Sequence, residues 1–301
     1  MSELKNDFSW SHSRADCFRR CPRQYFFNYY GSWGGWERNA ASRTRAFYVL
    51  KQLRNRQMWA GEKVHTCIRQ QLELIRHGYE PLAVDVVIEK MLREMREEWR
   101  DSGEGLYWDE PKKRCALWEH ELEIDLPDEE WKKTVDHALE CIRVFHASEI
   151  FRKICALSGS QWLELENLGR FQIDDFTVFA QLDFALRDDT GIIIYDWKTG
   201  RADKETTRDQ LAVYILYAAQ KWSAPATEIT AREFNLAQNT IHETRLTEIE
   251  IADAREKILS SAETLAALHG KPESEFPFVE DESACRSCNF VKACPKWIND
   301  G

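Results

Sequence analysis

The stretch IIIYDWKTG, residues 192–200, runs from three isoleucines and a tyrosine into Asp196, Trp197, Lys198, Thr199 and Gly200. A carboxylate and an ammonium closing so apolar a run need solvent or partners, because an unpaired buried charge is costly. Residues two apart on a strand share a face, so Asp196 and Lys198 point the same way. Asp183 lies inside VFAQLDFAL with apolar neighbours on both sides, and RDDTG between the two runs is turn material. If the runs pair through that hairpin, the two carboxylates converge at one end of a sheet. Carboxylates held together repel unless one is protonated or a cation bridges them, and Mg²⁺ or Mn²⁺ prefers oxygen ligands. A third ligand can come from His65, in the preceding helix. Beside such a cation Lys198 can orient or help deprotonate a water and offset the charge that builds on a scissile phosphate, so phosphodiester hydrolysis is the natural reaction class. An acid-x-Lys triplet by itself arises about once or twice by chance in a chain of ordinary composition and this length. Its weight comes from order: AGEKVH, then FAQLDF, then IIIYDWKTG, then DQLAVY.

The elements that must position these residues follow from periodicity. Val64, Ile68, Leu72 and Ile75 recur at helical spacing with Gly78 as the C-cap, which predicts a helix over 61–78 with His65 beside its apolar stripe. Amphipathic patterns over VDVVIEKMLREMREEWR and DEEWKKTVDHALECIRVFHASEIFRKICAL predict a helical insertion over about 79–158. From 161 the period changes: WLELE, GRFQI, TVFAQLDFAL and GIIIYDW read as an antiparallel meander. A helix over TTRDQLAVYILYAAQKW, one or two strands in TEITAREFNLAQNTIHETRL and a helix over EIEIADAREKILSSAETLAAL complete a region of sheet and helices over 159–270.

Of the nine cysteines, Cys285, Cys288 and Cys294 form a tight group. Three thiolates this close can ligate one centre, iron-sulfur or Zn²⁺, and the spacing does not separate the two. Residues 271–301 therefore read as an irregular metal-bound lobe. Cys67, Cys115, Cys141 and Cys155 read as small core residues. Residues 1–60 interleave arginine with aromatic residues, as in FRRCPRQYFFNYYGSWGGW, an arrangement that suits a single strand whose phosphates meet cations and whose bases stack on rings. Arg23 and Tyr25 of that segment join the group assigned to substrate contact or support.

Charge agrees. The chain of 301 residues has a formal charge of −10, yet residues 1–76 hold 14 Lys and Arg against 6 Asp and Glu. Such asymmetry lets one face hold a polyanion while the remainder stays soluble. No apolar run approaches the length of a bilayer span, and MSELKNDFSWSHSR has no apolar secretory core, so the expected location is cytoplasmic, with no membrane partner.

From SWSHSRADCFRRCPRQYFF to CRSCNFVKACP the chain resembles the RecB-like PD-(D/E)XK nucleases, in particular the iron-sulfur branch that includes AddB-type recombination nucleases and CRISPR-associated spacer-acquisition exonucleases. The resemblance implies an α/β fold: a restriction-endonuclease-like core, a central mixed sheet flanked by helices, with a helical insertion and a cysteine-ligated cluster lobe joining the two termini in one nuclease unit. It implies that His65, Asp183, Asp196 and the Trp197 carbonyl hold Mg²⁺ or Mn²⁺, and that Lys198 is the catalytic lysine. Gln210 and Tyr214 match the family's Gln-x-x-x-Tyr helix, which supports the site and contacts substrate. Cys21 becomes the fourth ligand of a 4Fe-4S cluster with Cys285, Cys288 and Cys294, Cys17 being the substitute one helical turn earlier and Zn²⁺ the alternative occupant. Such a centre would tie positions 264 apart, a loop whose closure costs roughly 5 kcal/mol in an unfolded chain. The family's usual glycine three residues before the first acid is Ala180 here, and Phe184 follows that acid where a polar residue is common. The implied activity is that of a metal-dependent exonuclease on single-stranded DNA in repair, recombination or defence, working alone or with a helicase or nuclease-complex subunit. The alternatives are a catalytically silent DNA-binding or scaffold subunit, which the retained acids and lysine disfavour, and a structure-selective endonuclease.

Overall fold

The structure, a computed structural model, describes residues 5–200 and 204–298. The chain divides into two compact units: 1–56, 97–125 and 260–301 in the first, 57–96 and 126–259 in the second. The helical insertion expected over 79–158 is helical in α5 (Val84–Gly103), α6 (Trp118–Glu121), α7 (Asp128–Ala147) and α8 (Glu149–Cys155), but residues 97–125 belong with the first unit.

In the first unit, a two-residue strand β1 (Trp10–Ser11) leads into α1 (His12–Arg20), capped by Ser11, whose Oγ accepts from Arg14 N–H. Cys21-Pro22 breaks the helix as the sequence suggests, and Pro22 opens α2 (Pro22–Phe26), where a missing N–H costs nothing. After one π-helical turn, Phe27–Gly31, comes α3 (Ser42–Leu50). Phe27 stacks on Phe47 at 4.3 Å, and Phe290 meets both edge-on. These rings form the apolar centre of the unit, which ends in the short helix α11 (Pro295–Ile298).

In the second unit, α4 (Arg56–Arg76) starts five residues earlier than the pattern predicts and stops where expected, with Gly78 in the left-handed region at φ +79°. Five strands follow: β2 (Trp162–Leu165), β3 (Leu168–Ile173), β4 (Phe176–Gln181), β5 (Phe184–Asp188) and β6 (Gly191–Lys198). They do not form the simple meander. TVFAQLDFAL is two strands, broken at Leu182–Asp183, because β4 pairs back on β3 while β5 pairs with β2 and β6. Helix α9 (Lys204–Trp222) then crosses over to β7 (Ile229–Asn235), which lies parallel to β6, and β8 (Thr240–Thr244) closes the edge before α10 (Glu248–Ala267). The sheet order is β2-β5-β6-β7-β8, a mixed sheet as expected for the α/β class.

Helix α9 is apolar all round, as QLAVYILYAA announces, since it packs against β7 on one side and the β3–β4 hairpin on the other. Helix α7 covers the opposite face of the sheet, where Phe145 meets Trp197 at 5.3 Å. A buried carboxylate anchors α9: Glu164 accepts from Tyr217 Oη at 2.9 Å and pairs with Lys221 Nζ at 3.0 Å. Room for that tyrosine exists only because residue 169 is glycine, where a Cβ would stand 2.0 Å from Tyr217 Oη. Gly169→Ala is therefore expected to lower the stability of the protein in urea unfolding by about 2 kcal/mol or more. Gly159→Ala, whose Cβ meets nothing within 4 Å, should stay within about 0.5 kcal/mol of the parent.

Candidate active site

Strand register brings the acids together. Phe184 of β5 pairs with Leu165 of β2 and with Tyr195 of β6. One step beyond that register, just outside β2 and β5, Asp183 lies beside Glu166 on one side and Asp196 on the other, three carboxylates in one row. The backbone closes this row: Glu166 N–H donates to the Asp183 carbonyl at 3.1 Å, and Trp197 N–H donates to Asp183 Oδ2 at 2.7 Å. Trp197, whose carbonyl is the expected metal ligand, thus also anchors an acid through its N–H. Glu166 directly follows β2 with φ +44°, a left-handed conformation that is uncommon in a residue bearing a Cβ.

Helix α4 contributes His65, whose Nδ1 lies 3.2 Å from Asp183 Oδ1. Ligand atoms of His65, Glu166 and Asp183 all lie within 4.8 Å of one another. The sequence reading did not include Glu166. LELE is the alternation of any amphipathic strand, and only the β2–β5 register, had it been assigned, would have singled this glutamate out. Asp196 is 3 % exposed and its Oδ2 faces Lys198 Nζ at 2.7 Å. Lys198 also donates to Gln210 Oε1 at 2.9 Å, and Gln210 Nε2 donates to the Tyr214 hydroxyl at 2.7 Å. The i, i+4 pair on α9 therefore holds the ammonium from behind.

The electrostatics are those of clustered acids only partly offset by cations: Arg69 Nε pairs with Glu166 Oε2 at 3.3 Å, and His65 and Lys198 face Asp183 and Asp196. Burial and then the Asp183 charge raise the Glu166 carboxyl to about 7. Burial, eased by the Lys198 charge and aggravated by Asp183, lifts Asp196 to about 6. Burial disfavours the His65 imidazolium, but the Asp183 charge and hydrogen bond, with Asp196 and Glu166 behind them, outweigh it and raise His65 to about 9. Glu166 Oε1 is buried and has no hydrogen-bond partner among the described residues. A divalent cation fits this donor set of carboxylate oxygens and imidazole, since it satisfies the orphan oxygen and relieves the repulsion along the row.

The first unit holds the cysteines. Cys21, Cys285, Cys288 and Cys294 line one pocket together with Phe27, Phe278 and Val291. Burial, and then the nearness of the other three, pushes the Cys288 thiol up to about 12. Thiols lining one pocket become thiolates when a cationic centre stabilises them, but among the described residues no three of these sulfurs lie within 4.8 Å of one another, a wider spacing than a single tetrahedral ion imposes on its ligands. Cys17 is buried apart, accepting from Asn28 Nδ2 at 3.2 Å. Cys67, Cys115 and Cys141 are core residues, but Cys155 is exposed, because it closes α8 on the outside of its last turn. Among the rings of the N-terminal segment Trp10, Tyr25, Phe27, Phe47, Tyr48 and Trp59 are core, and Tyr25 is 0 % exposed. Arg23 donates to the Phe276 carbonyl and pairs with Glu273 at 2.7 Å. Both residues thus hold supporting positions.

The PD-(D/E)XK nuclease superfamily profile matches residues 9–295, and the chain belongs to that superfamily. Asp196-Trp197-Lys198 has the acid-x-Lys order of the family name. The solved structure titled "Crystal structure of SSO0001" is 18 % identical, with a TM-score of 0.32 over 60 % of this chain and 79 % of that one. No curated protein matches the chain. No described helix is long and apolar enough to cross a membrane.

In the metal-free protein His65 has a folded pKa above its unfolded value. Its ion pair therefore stabilises the fold fully below about 6.5 and is lost as pH rises through about 9. A cation must displace that proton. Mn²⁺ affinity measured by calorimetry should accordingly rise about tenfold per pH unit from 7 to 9, more steeply below 7 where Glu166 also binds a proton, and level off above 9. In His65→Ala the dependence between 7 and 9 should vanish; a flat profile in the parent protein would exclude His65 as a ligand.

Proposed function

We propose that the protein is a metal-dependent deoxyribonuclease that hydrolyses single-stranded DNA from an end. The carrying observation is the row of Glu166, Asp183 and Asp196 beside His65, with the Lys198 ammonium 2.7 Å from Asp196. Family membership supports nuclease chemistry, and the basic N-terminal segment supports a polyanionic substrate.

His65, Asp183, Asp196 and the Trp197 carbonyl would hold Mg²⁺ or Mn²⁺, with Glu166 as a ligand added by the tertiary structure. The ion, when bound, supplies Lewis acidity toward the phosphoryl oxygens. Asp183 is held at the strand break by the Trp197 N–H, so its second oxygen stays directed at His65. Lys198, half-buried and fixed by Gln210, presents its remaining N–H groups where a water can be oriented for in-line attack and where charge on the phosphate grows. The Tyr214 hydroxyl, kept protonated by burial and the neighbouring Asp196 and Asp183 charges, holds the Gln210 amide in the orientation that accepts from lysine.

Cleavage of end-labelled single strands with Mn²⁺ should fall by at least about 100-fold in Lys198→Ala, with Mn²⁺ binding and the melting temperature retained. A purified Lys198→Ala protein of parental activity defeats the mechanism, and rapid cutting of closed circular single strands replaces the exonuclease with an endonuclease.

The four cysteines of the first unit would bind a 4Fe-4S cluster, an occupant favoured by the resemblance to the iron-sulfur branch and compatible with the pocket they share. Anaerobically purified protein should then be brown, and iron should be lost in Cys21→Ser and Cys288→Ser but not in Cys17→Ser. Zinc in place of iron in the metal analysis removes the cluster from the proposal.

A further inference from the structure

Three cations of the first unit gather on one ring. Lys51 Nζ lies 5.4 Å, Arg45 Cζ 5.8 Å and Lys112 Nζ 6.0 Å from the centroid of Tyr48. Arg45 is held by the backbone carbonyls of Gly35, Trp108 and Asp109, and Lys51 donates to Ser32 Oγ at 3.0 Å and to the Asn28 carbonyl at 3.5 Å. All these acceptors are uncharged. None of the three cations has an ion pair among the described residues, although Lys113 and Arg114, next to Lys112, both pair with Glu110. Burial, and then the charges of Lys112 and Arg14, lower the Lys51 ammonium to about 8.

Rings continue the patch. Trp36 meets Tyr48 edge-on at 6.0 Å, Trp33 meets Trp36 edge-on at 5.0 Å, and each indole is 38 % exposed. Unneutralised cations call for an anion, and exposed indoles call for flat apolar surfaces on the same ligand. A single-stranded polynucleotide offers both, because its bases are free to stack, whereas a duplex hides them. An acidic protein segment offers charge without the rings.

We propose that Arg45, Lys51 and Lys112 around Tyr48, with Trp33 and Trp36 beside them, form a surface subsite for a single-stranded polynucleotide, phosphates on the cations and bases on the indoles. The subsite rests on the nuclease reading for its substrate class, and it acts by binding alone, with no part in the chemistry.

The test is fluorescence anisotropy of labelled oligothymidylate with the full chain in EDTA, across a range of salt, where no cleavage intervenes. Lys51→Gln/Lys112→Gln should flatten the slope of log K against log salt by about 1.4, two single-strand phosphate contacts. Lys112→Gln alone should give about half of that and stays readable should the pair lose its fold. Trp33→Ala/Trp36→Ala should weaken binding at least about fivefold with the slope unchanged. If the parent protein binds and the folded variants bind identically, the subsite is wrong and the nuclease reading stands. If the parent binds no oligonucleotide at any salt, both fall. If polyglutamate binds as tightly as the oligonucleotide and is lost in the same variants, the patch is a protein-docking site and the proposal is overturned.

Discussion

Three carboxylates in one cross-strand row are the constraint around which the second unit is organised. At the spacing strand pairing imposes, they cannot all ionise without a counter-charge, and burial sharpens the conflict. The chain supplies part of that charge itself, from His65 and Arg69 on one side and Lys198 on the other. It leaves a buried oxygen of Glu166 without a hydrogen bond. Protons fill the deficit when nothing else does, which is why Glu166 and Asp196 rise toward neutrality while the histidine rises with them. A divalent cation answers the same deficit with more charge and fixed geometry.

Such a row stands only on a rigid support. The isoleucines of β6 are buried between strands on both sides, Tyr195 and Trp197 stack on the face that meets α7, and Asp196 and Lys198 fall on the face toward α9. One helix then serves two needs. Near its start α9 directs Gln210 and Tyr214 at the lysine, and two turns on it sets buried Tyr217 and exposed Lys221 against the buried Glu164. Two glutamates of LELEN thus part company: Glu164 is neutralised for structure, and Glu166, turned by its left-handed backbone, is left for the site.

The first unit solves a different problem with similar means. Stacking among the buried Phe27, Phe47 and Phe290 supplies cohesion, and the cysteine pocket lies against that same aromatic group. Thiols in such surroundings resist ionisation. They are inert until something electropositive binds, which suits a structural centre better than a reactive cysteine.

What the sequence by itself determined is local: the helix ending at Gly78, the break at Cys21-Pro22, the hairpin between Asp183 and Asp196, the shared face of Asp196 and Lys198, and the helix carrying Gln210 and Tyr214. Each follows from periodicity or turn chemistry acting within a few residues, and the likeness to a known family supplied the roles. What only the tertiary structure decided is long-range. The apparent meander split because β4 prefers β3 while β5 prefers β2, a choice among strands of similar composition that no single strand encodes. That choice placed Glu166 beside Asp183. The interleaved rings of the N-terminus, alike in sequence, sorted into a buried set and a few exposed indoles, and Cys155 parted from the other scattered cysteines in the same way. Side-chain type sets what a residue can tolerate, but burial is settled by which surfaces meet, and that depends on the packing of segments far apart in the chain.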